Sequence, residues 1–157
     1  MRTHIVGLLH ERPEWREQLS PFEMQASVIV GDWSNLSEVL AVAGNNAQPE
    51  ILFGSVVHAM LSGQSGELTN ALGIAREHLG SDIAAAGKGS YRRVYESVIQ
   101  LHMLHELEII HRQQAFDNGA ESSGFDATLA SRLNALSPSY RVREFVLNMR
   151  RTALSIS

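Results

Sequence analysis

Cysteine is absent from this 157-residue chain, which excludes disulfides and thiolate metal sites. Lysine is almost absent: of 13 basic residues only Lys88 is a lysine and the others are arginines, the residue type suited to packed or paired guanidinium groups. The four prolines fall at Pro13, Pro21, Pro49 and Pro138, so long stretches are free of helix breakers. No apolar run approaches the ~20 residues of a membrane span. Ile5 to Leu9 is too short for a signal sequence, and His10, Glu11 and Arg12 follow at once. The expected compartment is therefore cytosolic or nuclear, and the sequon at Asn35-Leu36-Ser37 carries no weight. A net charge of -4 argues against nucleic acid or an anionic membrane as a direct partner.

What remains is ordinary for a folded domain: 44% hydrophobic and 19% charged residues. The apolar residues recur at helical intervals, and nothing alternates long enough for a strand. Ser20-Pro21 predicts a helix start, with Phe22, Ala26 and Ile29 at helical spacing and Gly31 as the stop. After Gly31-Asp32-Trp33, a second helix carries Leu36, Val39, Leu40 and Ala43. Pro49 opens a third, with Leu52, Val56, Ala59 and Met60 inward. Gly63 to Gly66 is a turn. Leu68, Leu72, Ala75 and Leu79 form the next helix, weakened by Gly73, and Ala84 to Gly89 connects it onward.

The longest uninterrupted stretch runs from Ser90 to Phe116, roughly 40 Å if helical throughout. Val94, Val98 and Leu101 share one face, and Ile99, Met103, Leu107 and Ile110 lie on the other. Such a helix is expected between neighbours on both sides. Asp126 then caps a helix bearing Leu129, Leu133 and Leu136, and Ser137-Pro138 starts the last one. There Val142, Val146, Met149, Ala153 and Ile156 share a face, with Arg141, Arg143, Arg150 and Arg151 elsewhere. Helix pairs beginning near residues 20, 49 and 90 predict an all-α fold, a tetratricopeptide- or HEAT-like α-solenoid segment of antiparallel helix pairs. The apolar face of the last helix calls for a cover, so the chain is expected to be cut from a longer protein or completed by a partner.

Chemistry has few candidates. His102, His105 and Glu106 stand at i, i+3 and i+4, a spacing that can direct ligands at one metal ion, with His111 further along. The order is not the zinc-protease His-Glu-x-x-His, and no second-helix ligand advertises itself. Histidines covering a helix edge or bonded to neighbouring backbone explain the pattern better. His58 and His78 stand alone. There is no Gly-x-Ser-x-Gly elbow. The glycines at Gly63 and Gly66, and at Gly87 and Gly89, lack P-loop spacing and follow no strand, so they are connectors rather than phosphate cradles. The arginines of the last helix suit its negative C-terminal pole and, without interleaved aromatics, do not make a nucleic-acid reader. No catalytic, cofactor-binding or metal-ligating residue is assigned, and no cofactor is expected.

Two blocks carry a resemblance. Gly89-Ser90-Tyr91-Arg92-Arg93-Val94-Tyr95-Glu96, followed by Leu101-His102-Met103-Leu104-His105-Glu106-Leu107-Glu108, resembles the FAT domain of the ATR-type checkpoint kinases, within the phosphatidylinositol-3-kinase-related protein kinases. Ser139-Tyr140-Arg141 with Glu144, then Arg150-Arg151 and Leu154-Ser155, is similar to a second block of that family. Gly31-Asp32-Trp33 with Leu36 adds a weaker third. The likeness spans about residues 20 to 157 as a single region; residues 1–19 match nothing. His105 falls at a variable position of the family pattern, which weakens the metal reading further.

The resemblance implies a non-catalytic scaffold and regulatory segment of a serine/threonine kinase of the DNA damage checkpoint. Its implied partners are the rest of the kinase polypeptide including the catalytic domain, a kinase-associated regulatory subunit, and a second protomer. Its implied location is the nucleus. No catalytic or ATP-binding residue carries over, because the family's kinase motifs lie outside this region. The alternative is a free-standing helical adaptor built from tetratricopeptide-like hairpins.

Overall fold

The computed structural model describes residues 7, 12–44, 46–86, 91–116 and 122–156. Among them it holds seven α-helices and no strand: α1 (Arg16–Val30), α2 (Trp33–Ala43), α3 (Pro49–Ser62), α4 (Ser65–Ala85), α5 (Tyr91–Phe116), α6 (Ser122–Asn134) and α7 (Tyr140–Leu154). The chain is all-α, as the helical periodicity predicts. It packs as two compact units, Met1–His78 and Leu79–Ser157, with the division falling inside α4.

In the first unit, the helix start predicted at Ser20-Pro21 is overturned. A 3-10 turn at Pro13–Trp15 leads straight into α1, which begins at Arg16 and carries Pro21 in its interior. Proline there removes the N–H that would bond the carbonyl four residues back. That carbonyl belongs to Glu17, and the Ser20 hydroxyl donates to it at 3.1 Å. The serine thus repairs the bond that its neighbour breaks.

Gly31 ends α1 in the left-handed conformation, φ 77°, which glycine adopts without a Cβ penalty. Asp32 caps α2 by accepting from the Asn35 N–H at 3.2 Å. With only two residues between them, α1 and α2 must reverse direction and pack as a hairpin. The Asn35 amide of α2 reaches back to donate to the buried Ser27 hydroxyl of α1 at 2.7 Å. Ser27 in turn donates to the Glu23 carbonyl at 2.8 Å, so both buried polar side chains are satisfied.

Pro49 at the first position opens α3 as predicted, behind an extended Gln48. α3 is buried on nearly every side through Ile51, Leu52, Phe53, Gly54, Val56, Val57, Ala59 and Met60. It packs against both α1 and α2. Gly54 is what lets α1 come close: a Cβ there would lie 2.6 Å from Cγ of the fully buried Met24. Phe22 and Ile29 of α1, part of the stripe that predicted the helix, face outward at 53% and 38% exposure.

The second unit contains α5, α6 and α7, with α5 against α7. Tyr95 accepts from the Ser137 N–H, Glu106 pairs with Arg150, and Gln114 donates to the Ala153 carbonyl. These partners ascend together, so α5 and α7 run in the same direction and α6 returns between them, the order of stacked helical hairpins.

Three expectations are corrected here. α5 buries one broad face, Ile99, Met103, Leu104, Glu106, Leu107 and Ile110, while Val98 is 45% exposed and Val94 and Leu101 are half-buried; the helix buried all round is α3. Asp126 is no cap, because α6 already begins at Ser122. Ser137-Pro138 precedes the start of α7, whose N-cap is Ser139. Of the apolar face of α7, Val146, Met149 and Ala153 are buried in the unit where α7 packs on α5. The connector residues 87–89 lie outside the described residues.

Candidate functional site

Glu106 occupies a position in α5 that the helix geometry gives to the core. It sits seven residues after Ile99, three after Met103 and four before Ile110, all of them buried, so its side chain leaves the backbone in the middle of an apolar face. Its exposure is 0%. An isolated carboxylate there would be strongly disfavoured. α7 supplies the answer through Arg150, which likewise falls in a core register, four residues after Val146 and three before Ala153. The expectation that Arg150 lies off the apolar face is overturned: it is 7% exposed.

The two groups meet side-on. Arg150 Nε donates to Glu106 Oε2 at 2.7 Å and Arg150 Nη2 to Oε1 at 2.8 Å, a bidentate pair of the strong, charge-assisted kind. Nη2 also donates to the Leu129 carbonyl of α6 at 2.7 Å. Arg132, one turn further along α6, donates through Nε to Glu106 Oε1 at 3.3 Å and through Nη2 to the His102 carbonyl at 3.3 Å. His102 closes the set, with Nε2 2.9 Å from Glu106 Oε1 and Nδ1 3.2 Å from Arg132 Nη2. Both ring contacts are hydrogen bonds only if Nε2 carries the proton and Nδ1 accepts from arginine, which assigns a neutral imidazole.

The electrostatics agree. Burial, then the Arg132 charge, hold the His102 pKa below its ordinary value of 6.5, against the opposing pull of Glu106. For Glu106, burial pushes the carboxyl upward, but the hydrogen bonds and charges of Arg150 and His102 outweigh it and leave the pKa below the ordinary 4.5. The result is an ionised carboxylate bonded to two guanidinium groups and a neutral histidine, joining three helices.

This arrangement is a clamp. Oε1 accepts from Arg150, Arg132 and His102, and Oε2 from Arg150, so both oxygens are engaged. Two arginines beside it would repel a cation. Among the described residues no group of three or more His, Cys, Asp or Glu is placed to hold a metal ion. His102 and Glu106 are brought together as their spacing suggested, but His105 is not: it is exposed and lies 3.7 Å from Glu108 on another side of α5.

The other candidates fall apart in space. His111 and His58 are half-buried and His78 is exposed. Gly63 caps α3 with φ 67° and Gly66 lies inside α4. Arg141 is exposed, 3.9 Å from Glu96, and Arg151 is exposed. Surface hollows line α4 between Ser65 and Glu77 and the ground between α1 and the end of α2 near Asn46; neither includes a residue of the clamp. Sequence reasoning missed Arg132 and the role of Arg150. The available signal was a charge of each sign at a core register of two different helices.

A stacked-hairpin, all-α scaffold fastened by an internal ion-pair clamp defines a structural class. The comparisons place it more closely. The family model described as FAT domain matches residues 20–157, and the chain belongs to that family. It is similar to the serine/threonine-protein kinase ATR of Arabidopsis thaliana, 30% identical over 118 residues, which is 69% of this chain and 4% of that protein. It is also similar to the serine/threonine-protein kinase ATR of Oryza sativa subsp. indica, 29% identical over 117 residues with the same coverage. The chain therefore spans about 4% of the length of these relatives. No solved structure matches.

Proposed function

We propose that this chain is a non-catalytic scaffold and regulatory segment of an ATR-like serine/threonine kinase. The observation that carries the proposal is the FAT-domain match over residues 20–157, supported by the similarity to two plant ATR kinases. The geometry is in keeping with it. Buried charge in the second unit is used to fix one helix against two others, and what the unit offers outward is helical surface rather than a cleft with reactive groups. Residues 20–157 act as the FAT-like region.

In this reading the segment packs around the kinase domain of its parent polypeptide and supports a regulatory subunit or a second protomer. The parent acts in the nucleus in the DNA damage checkpoint. No cofactor or metal is required of the segment, and its charge of -4 does not suit direct contact with nucleic acid or an anionic membrane. Among the described residues no helix is long and apolar enough to cross a membrane. Sequencing the transcript that contains this reading frame tests the proposal. Helical repeats followed by a kinase catalytic domain downstream of Ser157 are expected; a stop without any kinase domain would overturn it in favour of a free-standing adaptor.

A further inference from the structure

Two Ser-Pro dipeptides occur in the chain, Ser20-Pro21 and Ser137-Pro138, and the fold treats them oppositely. Ser20 lies inside α1, is buried, and donates its hydroxyl to the Glu17 carbonyl. Ser137, Pro138 and Ser139 lie in the link between α6 and α7, and all three are exposed. Proline biases the residue before it toward extended backbone and holds its own φ at about −65°. Ser139 continues that extended course, with φ −73° and ψ 131°. The main chain anchors the stretch, because the Ser137 N–H donates to the Tyr95 hydroxyl at 3.1 Å. The Ser137 hydroxyl itself has no hydrogen-bond partner among the described residues.

We infer that Ser137 is a phosphorylation site for a proline-directed serine/threonine kinase, and that Ser20 is not. In the transfer the Ser137 oxygen attacks the γ-phosphorus of ATP in line with the bond to the β-phosphate oxygen. That bond breaks, ADP leaves with its electron pair, and the hydroxyl proton passes to a base of the modifying kinase. The acceptor hydroxyl must therefore be free to align with ATP, and its flanking residues must lie open to the enzyme. Ser137 meets both conditions; Ser20, wound into α1 and bonded to its own backbone, meets neither. Selection for proline needs only an apolar pocket without an acceptor for the following N–H, a group that Pro138 lacks. The product also finds a partner. Arg141 Nη2 lies 3.9 Å from Glu96 Oε1, and Glu96 follows Tyr95 in α5, so Ser137 and Arg141 lie against the same turn of that helix. A phosphate on Ser137 carries a charge of about −1.5 to −2 and competes with the Glu96 carboxylate for the exposed Arg141. Guanidinium binds phosphate bidentately, so modification draws Arg141 from α5 to the link.

The inference goes beyond the scaffold reading, which stands whether or not Ser137 is modified. Incubating the purified 157-residue chain with ATP and a cyclin-dependent kinase tests it, with the site located by fragment mass spectrometry. One phosphate per chain is expected, on Ser137. Ser137→Ala should take up none, and Pro138→Ala should slow the transfer about tenfold or more. A phosphorus NMR titration of the product reads the receiving group. The second phosphate pKa, ~6 for phosphoserine, should lie lower in the folded chain and return toward that value in Arg141→Gln. All three substituted residues are exposed, and an unchanged circular-dichroism melt certifies that each variant is folded. A folded chain that takes up no phosphate would overturn the inference. So would phosphate on Ser20 or Ser139 at the rate seen for Ser137. A phosphate pKa indifferent to Arg141→Gln would overturn the role given to Arg141.

Discussion

Replacing Glu106 with glutamine removes one charge and almost no volume, so its effect isolates the electrostatics of the clamp. The amide can still accept at its oxygen, but its nitrogen turns a donor toward donors. Arg150, only 7% exposed, keeps the Leu129 carbonyl and loses its counter-charge. Breaking one side of a buried pair costs about 3–5 kcal/mol, because the remaining charge stays desolvated. For a chain of this size each kcal/mol lowers Tm by about 2–4 °C, so the expected loss is about 6–20 °C. Thermal unfolding by circular dichroism measures it, and amide hydrogen exchange locates it: protection should fall across α5, α6 and α7. The double replacement Glu106→Leu/Arg150→Met removes both charges and fills the space with apolar atoms, and should cost far less than the single change. If Glu106→Gln melts within a degree or two of the parent, or if the double variant is as damaged as the sum of its singles, the clamp does not hold the helices together.

Other outcomes follow from the same geometry. Leu107→Asp, at a fully buried position, should cost about 4 kcal/mol or more and unfold the second unit in urea; Leu101→Asp, half-buried, should be clearly milder, and the exposed His105→Ala should stay within about 0.5 kcal/mol. Gly54→Ala adds a methyl group 2.6 Å from Met24 Cγ; overpacking of about 1–3 kcal/mol should outweigh the ~1 kcal/mol helix-propensity gain, lowering the urea midpoint. Because the folded His102 pKa lies below its unfolded 6.5, the unfolded chain binds more protons between those two values. The stability His102 contributes is therefore complete above 6.5 and is lost as pH falls from 6.5 through the folded pKa. Urea titrations across that window should show a steeper decline for the parent than for His102→Gln.

How much of this was legible in the sequence depends on which force decided each feature. Capping chemistry is local, so Gly31, Pro49 and Gly63 could be placed without a structure. The Ser20-Pro21 start was misjudged because the same two residues serve a helix start or a repaired helix interior. Only the chain before them, entering through the turn at Pro13–Trp15, decides between the two. Burial is a tertiary quantity: α3, with a run of apolar residues in a short helix, proved the enclosed element, while the longer α5 spends half its apolar residues on a half-wet face. The charged clamp was partly visible. His102 and Glu106 were recognised as neighbours by their spacing, but spacing within one helix cannot say that arginines from α6 and α7 complete the set. Reading Glu106 and Arg150 against the registers of their own helices would have predicted two buried charges of opposite sign, and hence each other.

The account as a whole rests on this chain being one piece of a kinase. An antibody raised against the 157-residue chain, used to isolate the native polypeptide from its source cells for gel mass measurement and a serine/threonine phosphoryl-transfer assay, addresses that most directly. The account predicts a polypeptide many times larger than 17.3 kDa that phosphorylates serine or threonine in the presence of ATP. Recovery of a 17.3 kDa species without kinase activity would contradict it.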